Sequence, residues 1–217
     1  MKTKARNIEL FRYSKTEERA NSVTHLVGLL LSFISMFILL MEVHTKSSLT
    51  IFYCLIYSIT AMMMFASSFS YHFTTNGGRK YLFKIFDHVS IYLFIAGTYT
   101  PIVLIGMKSA LAIKLLIAVW ILVIFGIIYE LLFLGKNRYV STLFYLLLGN
   151  LSIFTLHEML VTLNVKSVTF LLVGGAIYSL GTIFYIIKKI PYGHAIWHLF
   201  VIGGFVTHFL AIYFCCV

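Results

Sequence analysis

The sequence predicts an all-α, polytopic membrane bundle of seven transmembrane helices. Two observations carry that prediction. Of 217 residues, 60% are hydrophobic and only 11% are charged, where a soluble domain carries roughly 25% charged residues as its polar coat. The apolar residues also fall into seven runs, each long enough to cross a hydrocarbon core of about 30 Å at about 1.5 Å per residue. The same composition excludes a disordered chain, which is poor in apolar residues. It excludes a disulfide scaffold too, because Cys54, Cys215 and Cys216 are few and lie in apolar context.

In chain order the predicted spans are Thr24–His44, Leu49–His72, Lys84–Gly106, Ser109–Leu132, Tyr139–Leu160, Lys166–Ile187 and His194–Val217. The connections are short; one holds an Asn76-Gly77 turn signal and another holds Pro191. Residues 1–23 form a polar N-terminal segment and residues 24–217 the seven-helix domain. Within that segment Ser14-Lys15-Thr16-Glu17 fits a capping box, so a helix starts there and leads into the first span. The apolar run that follows is too long for a cleaved signal peptide and lacks a cleavage site. No internal repeat is visible, and an odd span count argues against a duplicated transporter.

The net charge of +10 would point to nucleic acid in a soluble protein. Here the basic residues lie between the apolar runs and serve as a topology signal. Placing the N-terminus in the cytoplasm puts thirteen Lys and Arg inside: Lys2, Lys4, Arg6, Arg12, Lys15, Arg19, Arg79, Lys80, Lys84, Lys136, Arg138, Lys188 and Lys189. Three remain outside (Lys46, Lys108 and Lys166), while Lys114 lies within a turn of the outer end. The predicted topology is N-terminus in, C-terminus out.

Ionisable residues at span ends are the informative ones in a membrane protein. His25, His72, His88, His194, His198 and the only aspartate, Asp87, all fall at the inner ends. His44 and His157 fall at the outer ends, and His208 lies inside the last span. His194 and His198 are four apart and share one helix face, so they can present two imidazoles to one ion. Ser68 lies one turn before His72. Asp87 heads a stripe of Ser90, Phe94, Gly97, Thr98 and Pro101, small enough for close helix packing; His88, about 100° round the helix, points elsewhere. Three neutral imidazoles leave a fourth zinc position for water, whose pKa zinc lowers, and a carboxylate beside it can hold that water or take its proton. Each element also has an ordinary structural reading: an interfacial His pair, or an aspartate on a helix dipole. Their convergence on one membrane face is what favours a metal. Glu18, Asn21 and His25 form another one-face stripe, which spacing alone reads as a capped, water-facing helix start. Glu130 and Glu158 read as solvated boundary residues, and Met62-Met63-Met64 as packing.

These motifs resemble the hemolysin III-type bacterial membrane proteins, which are similar to the progestin and adiponectin receptor superfamily and more distantly to alkaline ceramidases. The resemblance rests on Glu18-Arg19-Ala20-Asn21-Ser22-Val23-Thr24-His25, on Ser68-x3-His72 with Asp87-His88 and Ala96-Gly97-Thr98-Tyr99-Thr100-Pro101, and on His194-Ala195-Ile196-Trp197-His198. It implies seven helices with Zn2+ near the cytoplasmic face of a bacterial plasma membrane. It also implies His72, His194 and His198 as ligands, Asp87 acting on the zinc-bound water and Ser68 close by, with Glu18, Asn21 and His25 as a further signature. Three functions are then expected to compete: a zinc-dependent hydrolase of a lipid amide or ester, a receptor or membrane-homeostasis sensor with structural zinc, and a cytolysin, as the family name implies. Membrane lipids are the expected partners.

Overall fold

The computed structural model describes residues 10, 13–133, 137–187 and 189–217. Lys2, Lys4, Arg6, Glu9, Arg12, Lys136 and Lys188, which belong to the N-terminal segment or the charge bias, lie outside the described residues. The described residues are helical and contain no strand. Helix α1 runs Lys15–Val43, α2 Ser48–Phe73, α3 Gly77–Pro101, α4 Ala110–Phe133, α5 Arg138–Asn150, α6 Leu156–Thr162, α7 Val165–Ile186 and α8 Gly193–Cys216. Helices α5 and α6 are joined by a 3-10 turn, Leu151–Thr155, into one span. Seven spans therefore result, each long and apolar enough to cross a membrane.

Their starts follow from local chemistry. Ser14 caps α1 as the capping box predicts: its hydroxyl accepts from Glu17 N and the Glu17 carboxylate accepts from Ser14 N. Ser47, Asn76, Asn137 and Asn164 cap α2, α3, α5 and α7 in the same way with side-chain oxygens. Two spans are irregular. After Pro101, α3 continues as a π-helical segment, Ile102–Met107, which closes on Lys108 in the left-handed region (φ 56°). The 3-10 turn of the fifth span is held by Tyr99, whose hydroxyl donates to Leu148 O (3.0 Å) and Gly149 O (3.1 Å) and accepts from Ser152 N (2.9 Å). A buried phenol thus satisfies backbone groups that the broken ladder leaves over.

Helix α1 packs on α2, α2 on α3 and α7 on α8, while α1 also meets α8 and closes that side of the bundle. Outward faces are apolar: Leu30, Phe37, Ile124 and Phe125 are all exposed. In water such a surface would be untenable; against lipid it is the expected one. Inside, small residues let backbones approach. A Cβ on Gly97 would lie 2.1 Å from Thr60 Oγ1, so the α2–α3 crossing requires glycine there.

Candidate metal centre

The end of the bundle at which α1, α3 and α8 begin and α2 finishes collects the polar side chains. His72 lies in the last turn of α2. Helix α8 starts beyond Pro191, where Tyr192 takes a left-handed conformation (φ 53°) and Gly193 passes within 3.2 Å, measured from an added Cβ, of Phe184 O. That tight turn presents His194 and His198 one helical turn apart, with ring centroids separated by 4.4 Å.

The three imidazoles converge. His72 Nε2 lies 3.2 Å from His194 Nε2, and one nitrogen from each of His72, His194 and His198 falls within 4.8 Å of the others. Two zinc–nitrogen bonds at a tetrahedral angle place their nitrogens about 3.3 Å apart. The group can hold a metal ion, and His72 and His198 are buried.

Hydrogen bonding orients the rings. His72 Nδ1 lies 2.6 Å from Glu18 Oε2, so Nδ1–H donates to the carboxylate and the lone pair is left on Nε2. Thr24 Oγ1 lies 3.0 Å from His198 Nδ1, and its single proton goes to the carbonyls of Ala20 and Asn21. The hydroxyl therefore accepts from His198 Nδ1–H, which frees Nε2. Contacts of this kind fix the tautomer of histidines that ligate a metal. Tyr13 stacks on His194 at 5.0 Å between centroids.

Glu18, Asn21 and His25 do not form the water-facing helix start that spacing favours. Asn21 and His25 are buried, and Glu18 also forms an ion pair with Lys80 Nζ at 2.9 Å. Asn21 Nδ2 approaches His72 Nδ1 at 3.5 Å, and His25 meets His198 edge-on at 3.9 Å between centroids. The reason is the continuity of α1: its first turns face α2 and α8 instead of solvent. Lys80, counted by sequence among loop charges, is 2% exposed and also donates to Tyr71 O. One carboxylate thereby ties α1, α2 and α3 together. Sequence reasoning missed Thr24 and Lys80. No local signal marks Thr24, because its partner His198 lies 174 positions away.

Asp87 and Ser68 stand on the wall of a cavity of about 590 Å3 that reaches His194 and His198 and runs inward past Phe94, Tyr145 and Val201. Ser68 is buried, with its hydroxyl beside the Asp87 carboxylate. His88, which helix spacing turns away from Asp87, borders the same cavity, and its Nδ1 meets Glu130 Oε2 at 3.1 Å. Glu130 is thus not a solvated boundary residue: it is fully buried, with Tyr145 Oη 3.5 Å from Oε1. Burial of a carboxylate is tolerated because these donors replace water. Glu158 is half-buried, with one carboxylate oxygen shielded. His44 and His157 are exposed and remote from the cluster, and His208 lies beside Leu171 O within the bundle.

Residues 13–209 match the family model described as Haemolysin-III related. The chain is 39% identical over 202 residues to the Hemolysin-3 homolog of Bacillus subtilis (strain 168), covering 93% of this chain and 95% of that protein. It is 37% identical over 200 residues to Hemolysin-3 of Bacillus cereus, covering 91% of each. The human Monocyte to macrophage differentiation factor is 33% identical over 135 residues, 62% of this chain and 56% of that protein, which supports the similarity to the progestin and adiponectin receptor superfamily. With a helical bundle of seven potential spans and a match over nearly its whole length, the chain belongs to the haemolysin-III related family.

Proposed function

We propose that this protein is a zinc-dependent intramembrane hydrolase acting on an amide or ester bond of a lipid, in the manner of a ceramidase. The observation that carries the reading is the convergence of three imidazoles, two of which, His194 and His198, line a cavity whose wall also carries Asp87 and Ser68. His72, His194 and His198 would hold the ion, and Zn2+ bound there would supply Lewis acidity toward a carbonyl and toward water. Asp87 accepts the proton of the attacking water and returns it to the leaving amine or alkoxide. Ser68 orients that carboxylate. Glu18 and Thr24 keep the two imidazole lone pairs aimed at the ion, and Ile91, Phe94 and Val201 receive an acyl chain while excluding water. The proposed setting is a bacterial inner membrane with the site on the cytoplasmic side, following the positive-charge bias.

Metal analysis with lipid turnover on purified protein tests this. Wild type is expected to hold about one zinc per chain, His194→Ala to lose it, and Asp87→Asn to keep zinc while losing turnover. Wild type without tightly bound metal would falsify the reading. A second reading, a receptor or homeostasis sensor with structural zinc, draws on Glu18 linking His72 to Lys80. It expects metal removal to melt the bundle and Asp87→Asn to retain full function. Cytolysis is checked by liposome leakage, and intact liposomes at high loading exclude it.

A further inference from the structure

At the far end of the bundle from the imidazoles, Cys54 of α2 and Cys216 of α8 bring their Sγ atoms to 3.8 Å across 162 positions of sequence. Both are free thiols and both are buried. We propose that Cys54 and Cys216 are a redox pair that closes to a disulfide when an oxidised thiol compound of the glutathione or dithiol class is supplied.

Closure needs the sulfurs to approach from 3.8 Å to about 2.05 Å. Packing selects the pair. Cys215, the adjacent thiol, turns toward Gly106 instead, where a Cβ would meet its Sγ at 2.6 Å. The two backbones are held side by side, since Tyr57 and Phe65 of α2 both rest on Phe205 of α8 and the Tyr57 hydroxyl donates to Phe205 O. The end of α8 is further anchored by Ser167 Oγ to Ala211 O (2.8 Å).

The chemistry balances as an exchange. The Cys216 thiolate attacks one sulfur of the donor disulfide, and the donor's other sulfur leaves as a thiolate. The Cys54 thiolate then attacks Cys216 Sγ and expels the remaining donor sulfur. Two protein thiols lose two protons and two electrons, and one donor disulfide becomes two thiols. In the topology that the charge bias predicts, this end faces the outer side, where disulfides persist. The bridge would join the outer ends of the two helices whose inner ends carry His72, His194 and His198, so it would fix their mutual register without touching a ligand. It does not rest on the hydrolase reading.

The test uses full-length wild type, purified reduced, freed of reductant and incubated with oxidised glutathione. The protein is then denatured in N-ethylmaleimide and mapped by mass spectrometry. The expected result is alkylation at Cys215 alone and a linked Cys54–Cys216 peptide that dithiothreitol releases. Cys215→Ser should leave the Cys54–Cys216 linkage unchanged, and Cys54→Ser should abolish it. Alkylation of all three thiols, glutathione retained on Cys216 beside an alkylated Cys54, or a bridge through Cys215 overturns the proposal. The wild-type map decides by itself if a variant does not fold.

Discussion

The carboxylate of Glu18 in α1 stands 2.6 Å from Nδ1 of His72 in α2 while its other oxygen holds Lys80 of α3 at 2.9 Å. The residue belongs to the N-terminal motif and the imidazole to the three-histidine cluster, so the two motifs meet in one place. Glu18→Gln should therefore weaken zinc binding by roughly 10–100-fold, the usual effect of losing a ligand's outer contact. Competition against a fluorescent chelator measures this, and an unchanged affinity would separate the two motifs again.

Glu130 and His88 make a second test, confined to stability. Glu130→Ala leaves a half-buried imidazole N–H of His88 without its acceptor, which should cost roughly 1–3 kcal/mol. Glu130→Gln retains an acceptor oxygen and should cost less than half of that. Thermal unfolding in detergent reports both. Equal losses for Ala and Gln would show that volume, not the hydrogen bond, is what matters there.

Close helix approach is open to a rescue experiment. Gly97→Ala sets a methyl 2.1 Å from Thr60 Oγ1, an overpacking that should cost roughly 1–3 kcal/mol. Adding Thr60→Ala removes the hydroxyl and should recover a good part of the loss. A double variant no more stable than Gly97→Ala alone would place the strain elsewhere.

Topology is checked by labelling in a background with Cys54→Ser, Cys215→Ser and Cys216→Ser. A membrane-impermeant maleimide added to intact cells should react with Lys46→Cys and not with Arg79→Cys, which should label only after lysis. The reverse pattern would invert the orientation and put the imidazoles outside.

The apolar runs made the seven spans legible, because lipid demands continuous hydrophobicity whatever the packing. The expected second span, Leu49–His72, differs from the observed Ser48–Phe73 by one residue at each end. The third begins seven residues before the expected Lys84, at Gly77, since Arg79 and Lys80 read as loop charges while Lys80 is folded inward onto Glu18. The first likewise begins at Lys15, as the capping box indicated, although hydrophobicity starts only at Thr24. The facing imidazoles were anticipated from the four-residue spacing in α8 and from shared membrane sidedness. What spacing within one helix does not carry is which face meets a neighbour. For that reason Glu18 and Glu130 read as solvated from sequence, and the partnership of Thr24 with His198, 174 positions away, leaves no local trace. The break in the fifth span was equally silent, because its stabilising group, Tyr99, comes from another helix.

That break gives the bundle a mechanical asymmetry. Six spans are continuous through the membrane, whereas the fifth is two short rods meeting at Leu151–Thr155, and the cavity is bordered by the first rod through Tyr145 and Leu146. The Tyr99 hydroxyl is the rivet at that joint. Tyr99→Phe would remove three hydrogen bonds that tie that joint to α3, and with them part of what fixes the chamber's wall there.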